Sequence, residues 1–122
     1  MVTLRALDGE YAVCRLPAGE WPPASAPGLY SVTSTADETS VVCLRDHAPE
    51  GAKTERGWCA YMVEGPLDFA LTGILASLTR PLAEARVPVF AVSTYDTDYL
   101  LVRLVDRRRA ENAWSTSHDI SR

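Results

Sequence analysis

The chain has 122 residues, 47% of them hydrophobic, with a formal net charge of −4. That suits one ordinary domain or two very small ones with a real core, and excludes a disordered chain. Lys53 is the only lysine and the only basic run is Arg107-Arg108-Arg109, which excludes a dense nucleic-acid-binding stripe.

No apolar stretch approaches the roughly 20 residues of a membrane span. The start, MVTLRALDGEY, lacks the apolar run and cleavage site of a signal peptide. The expectation is a cytoplasmic protein with neither membrane nor nucleic acid as a partner. Cys14, Cys43 and Cys59 sit singly in apolar runs, without the spacing of a disulfide framework or a zinc site, and read as small buried hydrophobes. No metal or cofactor is expected.

In chain order, Thr3–Leu7 and Glu10–Leu16 are strand-like and flank Asp8-Gly9, a dipeptide suited to a two-residue hairpin turn. PAGEWPPASAPG follows, with Pro17, Pro22, Pro23 and Pro27, and can hold at most a short helical turn. Leu29–Thr35 and Ser40–Arg45 predict a hairpin around Ala36-Asp37-Glu38, His47 to Arg56 a polar loop, and Trp58–Val63 another strand. One helix is predicted from Asp68 to about Arg86, because Leu67, Leu71, Ile74, Leu75, Leu78 and Leu82 form one stripe. Asp68 suits its N-cap, and Pro81 predicts a kink or break near Ser77. Gly73 reads as a close-packing position. Pro88–Tyr95 and Tyr99–Leu104 are strands and Asp106–Trp114 a shorter helix, with the triple Arg on its solvated face. STSHDISR reads as a frayed tail, residues 115–122. His47 and His118 read as exposed loop residues.

A faint repeat orders these elements. Ser31–Thr35 followed by Ser40–Cys43 is similar to Ala91–Tyr95 followed by Tyr99–Val102, at an offset near 60 with one extra residue in the first turn. The chain thus reads twice as strand, connection, strand, strand, which is α+β and ferredoxin-like. The predicted units are residues 8–57, with a short or degenerate helix, and 58–114. The second unit is one strand short, and Thr3–Leu7 is the spare strand that would complete it.

The second hairpin is dense in polar groups: Ser93-Thr94-Tyr95-Asp96-Thr97-Asp98. That element, with VEGPLDFALTGILASLTRPLAEARVPVFAVSTYDTDYLLV around it, resembles the ACT-domain family, and within it the small tandem-ACT proteins related to the CASTOR arginine sensors. A weaker match runs through YAVCRLPAGEWPP and GLYSVTSTADETSVVC. The resemblance implies two βαββαβ ACT units in tandem, antiparallel sheets with helices on one face, and no catalysis. It implies an amino acid ligand where two units meet, held by the loop Glu64, Gly65, Pro66, Leu67 and Asp68 and by the strand residues Ser93, Thr94 and Tyr95, with Asp98 as an acidic contact.

The chemistry is compatible. A ligand carboxylate needs main-chain N–H donors, which Gly65 would leave accessible, and a ligand ammonium needs an acceptor such as Asp98. Glu64, Asp68, Asp96 and Asp98 make an acid-rich rim that favours arginine or lysine. On residue chemistry alone, Asp96 and Asp98 are turn residues satisfying their own backbone. With the resemblance, Asp98 becomes ligand-facing while Asp96 stays in the turn and Asp68 stays a cap. The rival reading is an ACT-like protein–protein interaction module without a metabolite. An enzyme would need Cys59 or Cys14 paired with His47, for which no motif speaks. Val89–Val92 and Leu100–Val102 are apolar on both faces while one helix layer covers only one, which predicts a homodimer.

Overall fold

The computed structural model describes residues 2–65 and 72–122. Its chain divides into two units, Gly9–Trp58 and Met1–Asp8 with Cys59–Arg122.

The Gly9–Trp58 unit is built from strands β2 (Tyr11–Pro17), β3 (Ser31–Ser34), β4 (Glu38–Leu44) and the first half of β5 (Lys53–Val63). β4 lies between β3 and β2, antiparallel to both, and the far edge of β2 pairs antiparallel with Lys53–Trp58, with a bulge between Tyr11 and Val13. Strand alternation puts Ala12, Cys14, Leu16, Val41 and Cys43 on one buried face, against which Tyr30, Val32, Ala48 and Ala52 pack. No helix forms between β2 and β3, as four prolines dictate. The segment is instead pinned by single bonds: the Leu29 N–H donates to the Tyr11 hydroxyl at 3.0 Å, and the Tyr30 hydroxyl donates to the Pro23 carbonyl. Gly28, at φ +75°, admits this approach, since a Cβ there would lie 2.8 Å from the Tyr11 oxygen. The loop predicted over His47–Arg56 is shorter than expected. Pairing with β2 satisfies the backbone from Lys53 onward and leaves the polar side chains outside, so a polar sequence runs as strand.

The other unit holds β1 (Thr3–Ala6), the second half of β5, α1 (Ile74–Glu84), β6 (Phe90–Ser93), β7 (Asp98–Arg103), α2 (Arg107–Trp114) and β8 (Asp119–Ser121). Its strands run β6-β7-β5-β1-β8, β1 being antiparallel to β5 and parallel to β8. From β5 to β8 this is a complete βαββαβ succession with β1 inserted beside β5. Both helices pack on one face: Leu78 and Leu82 of α1 and Ala110 and Trp114 of α2 meet Leu4, Tyr61, Val63, Leu100 and Val102. Trp114 stands edge-on to Tyr61, ring centroids 4.9 Å apart, and donates its indole N–H to the Leu78 carbonyl at 2.9 Å. The fold is mixed α+β on an antiparallel-rich sheet, with two α-helices among the described residues.

Several expectations are corrected here. The Asp8-Gly9 hairpin does not form: a strand has two edges, and those of β1 are taken by β5 and β8. The unit is not short of a fourth strand, because β8 supplies it, so residues 115–122 are no frayed tail. Ile120 packs against the core and Arg122 grips Glu111 with both guanidinium Nη atoms, at 2.6 and 2.8 Å. α1 starts at Ile74 behind Gly73, whose φ is +80° and whose Cβ position meets nothing within 4 Å among the described residues, so its left-handed conformation accounts for a glycine there. The N-cap role given to Asp68 lies outside the described residues.

α1 also runs through Pro81 without a break at Ser77. Proline removes the N–H that would have bonded the Ser77 carbonyl, and the His118 Nε2 takes that place at 3.2 Å. Its Nδ1 accepts the Val2 N–H at 3.1 Å, which makes Nε2 the protonated, donating nitrogen. His118, expected in solvent, is 5% exposed.

Candidate functional site

Of the candidate residues named from the sequence, Ser93, Thr94, Tyr95 and Asp98 belong to the β6–β7 hairpin and Glu64 and Gly65 follow β5. The β6–β7 hairpin turns through Thr94-Tyr95-Asp96-Thr97. The Thr94 N–H donates to the Thr97 carbonyl at 2.8 Å, the Thr94 hydroxyl donates to the same oxygen at 3.0 Å, and the Thr97 N–H returns to the Thr94 hydroxyl at 3.3 Å. Ser93 and Asp98 are the last paired residues, and the Ser93 hydroxyl donates to Asp98 Oδ1 at 2.6 Å. Much of the polar density is therefore spent on the turn itself.

One bond leaves the hairpin. The Thr97 hydroxyl, on a residue 8% exposed, donates to the Val63 carbonyl at 2.6 Å. On the other side of the same peptide, the Glu64 N–H donates to the Thr3 carbonyl at 2.9 Å. The hairpin is thereby tied to the end of β5, directly before Glu64 and Gly65, both of which are exposed. Tyr95 is at the turn's tip and 81% exposed. Pro66, Leu67 and Asp68 lie outside the described residues. Sequence reasoning passed over Thr97, whose only signal was a threonine held between two aspartates in a turn.

The hairpin β3–β4 repeats the device. The Thr35 N–H donates to the Glu38 carbonyl at 2.9 Å, and the Thr35 hydroxyl accepts the N–H groups of Asp37 and Glu38 at 3.1 and 3.2 Å. Ser34-Thr35-Ala36-Asp37 matches Ser93-Thr94-Tyr95-Asp96 with no insertion, so the extra residue expected in the first turn is absent. The counterpart of Asp98 is Thr39, fully buried, whose hydroxyl has no hydrogen-bond partner among the described residues.

Glu111, Tyr61 and the arginines around them form a bonded network. Burial pushes Glu111 up, but hydrogen bonds from Arg122, Tyr61 and Arg107 outweigh it and hold the carboxyl at about 2. Burial and the bond to Glu111 push the Tyr61 phenol up. Burial raises the Cys59 thiol, and burial with Cys14 alongside pushes Cys43 up to about 12, far from a nucleophile's range. The triple Arg is more than a solvated face: Arg109 bonds Asp106 and the Ala85 carbonyl, and Arg107 bonds Glu111. Among the described residues, no group of three or more His, Cys, Asp or Glu side chains is arranged for a metal ion, and no helix is long and apolar enough to cross a membrane.

A βαββαβ unit whose two helices share one face, with a polar hairpin tied to the strand end before its first helix, defines the class of small ferredoxin-like domains. The family profile of the ACT domain matches residues 53–114, half of the chain, and a separate profile described as an N-terminal domain matches residues 9–51. The chain belongs to the ACT domain family. Its structure is similar to that of a protein from Agrobacterium tumefaciens, with 37% identity and TM-score 0.90 over 98% of this chain and 91% of that one. The aspartate kinase from Synechocystis has the same fold at 15% identity and TM-score 0.69, over 99% of this chain and 28% of the kinase. That from Clostridium acetobutylicum, described as an allosteric enzyme, matches at 13% identity and TM-score 0.62, over 87% of this chain and 33% of the kinase. No functionally curated protein matches the sequence.

Proposed function

We propose that this chain is a non-catalytic regulatory protein that binds an amino acid at the hairpin end of its ACT-matched unit. The observation that carries the reading is the Ser93–Asp98 contact at 2.6 Å. It fixes a carboxylate at the mouth of the hairpin, whose neighbour Thr97 is bonded to the carbonyl directly before the exposed Glu64-Gly65 segment. One Asp98 oxygen is engaged by Ser93, leaving the other as an acceptor for a ligand ammonium or guanidinium. Gly65, without a side chain, lets a ligand carboxylate approach the main chain. The segments Glu64-Gly65 and Ser93–Asp98 carry three carboxylates, Glu64, Asp96 and Asp98, and no Arg or Lys in their sequence, which favours a cationic amino acid, arginine or lysine, as the ligand. Raised thiol pKa values at Cys43 and Cys59 support the absence of nucleophilic catalysis. The two ACT-like halves act in tandem, and the protein works as a cytoplasmic homodimer.

A thermal-shift screen of the twenty amino acids tests this. A ligand at a hundred times its Kd adds about 2.7 kcal/mol to stability. Arginine or lysine is expected to raise Tm by several degrees, and Asp98→Ala to abolish the rise while leaving the ligand-free Tm near wild type. Preference for aspartate or glutamate, or a variant that binds as tightly in calorimetry, overturns the assignment.

The competing reading is an interaction module without a metabolite. The exposure of Tyr95 and of Val105, at 91%, speaks for it. No thermal shift with any amino acid, together with a dimer by light scattering, would favour that reading.

A further inference from the structure

The two hairpins serve as controls for each other. Both close a four-residue turn with the same threonine-centred bonds, at nearly equal lengths. The last turn position is Glu38 in one and Thr97 in the other, and Glu38 makes the turn without contributing a side-chain hydroxyl to it. The Thr97 hydroxyl is therefore not needed to form the turn, and its own bond goes elsewhere, to the Val63 carbonyl.

That carbonyl belongs to the peptide whose N–H, on Glu64, is held by Thr3. The peptide is thus gripped on both sides, directly before Glu64 and Gly65. A donor buried to this degree would cost free energy if left unpaired, so the bond holds the hairpin and the strand end in one arrangement. Asp98 follows Thr97 in the chain and Glu64 follows Val63, so the bond joins the two segments of the proposed site.

We propose that Thr97 is a positioning residue for the amino acid site: without touching the ligand, its hydroxyl sets the spacing between Asp98 and the Glu64-Gly65 segment. This inference rests on the site proposed above. Thr97→Val keeps the shape and removes the donor; Thr97→Ser keeps the donor. Calorimetric Kd with arginine and lysine, the ligand-free Tm, and amide exchange at Glu64 and Gly65 are measured for wild type, both variants and Leu82→Ala, a core change on α1.

Thr97→Val is expected to weaken binding about ten-fold and to speed amide exchange at Glu64 and Gly65, while Thr97→Ser stays within about three-fold of wild type. Leu82→Ala lowers Tm further than Thr97→Val yet leaves Kd unchanged, a split that a merely stabilising role for Thr97 would not produce. Wild type that binds while Thr97→Val binds equally well overturns the positioning role alone. Equal losses in Thr97→Val and Thr97→Ser also overturn it. Wild type that binds neither arginine nor lysine overturns the site and this role together.

Discussion

The two units cover the same kind of apolar strand face by different means. In Met1–Asp8 with Cys59–Arg122, two amphipathic helices lay Leu78, Leu82 and Trp114 across the sheet. In Gly9–Trp58 the corresponding connection is proline-rich, and Tyr30, Ala48 and Ala52 pack on the face from loops. A helix buries a whole stripe at once and satisfies its own backbone. A loop must be fastened at points, here by the Tyr11 hydroxyl and by a glycine that lets the chain come close. The helical cover concentrates its stabilisation in a few large side chains, and the loop cover spreads it over hydrogen bonds and backbone geometry.

The sharpest test of that contrast removes the largest covering side chain. Trp114→Ala is expected to cost roughly 3–5 kcal/mol in denaturant unfolding, since a fully buried indole leaves a cavity that the sheet cannot close. Tyr30→Ala, on the loop-covered face, should cost less than half as much. Equal losses would break the comparison.

Next in size is the bond that lets the helix carry a proline. His118→Ala should cost roughly 2–3 kcal/mol, since it strands the Ser77 carbonyl and the Val2 N–H. In a Pro81→Ala background, where residue 81 can bond Ser77 itself, the loss should shrink. A double-mutant cycle without coupling would separate the two residues.

Glycine substitutions sharpen the backbone side of the comparison. Gly28→Ala should cost about 2 kcal/mol, combining left-handed strain with displacement of the Tyr11 hydroxyl. Gly73→Ala, equally left-handed but with nothing within 4 Å of its Cβ among the described residues, should cost about 1 kcal/mol. Thermal melts of the two variants rank them directly.

The smallest effect is a pH dependence confined to the helical unit. Glu111 sits near 2 when folded against an ordinary value of 4.5. A depressed carboxyl stabilises fully above its unfolded pKa, and that contribution is lost as pH falls toward 2. The Tm difference between wild type and Glu111→Gln should be constant above about pH 5 and narrow between pH 4.5 and 2. A difference that widens on acidification would contradict the Glu111–Arg122 pairing.

Much of the architecture was readable because it depends on local periodicity. Strand-like runs marked β2, β4 and β7, the leucine spacing marked α1, and polar turn residues between strands marked both hairpins. Naming Glu64, Gly65, Ser93, Thr94 and Asp98 as candidate site residues followed from the resemblance. Thr97 was missed because its partner, Val63, is a main-chain carbonyl distant in sequence, and no side-chain pattern announces such a bond. His118 was misread for a similar reason, since both its partners, Val2 and Ser77, are main-chain groups of other elements.

By itself the sequence determined where strands and helices could form, that the first connection could not be a helix, and that the second hairpin would be rich in carboxylates and hydroxyls. Side-chain period, proline geometry and turn chemistry act over a few residues and need no knowledge of the rest of the chain. The strand Thr3–Leu7 was already expected to complete the second unit; only the tertiary structure decided that it lies between β5 and β8, that the last residues form a strand, and which hydroxyl grips the end of β5. Those outcomes depend on which free edge and which unpaired carbonyl lie within reach once the sheet has assembled, and backbone hydrogen-bonding groups are the same at every residue but proline.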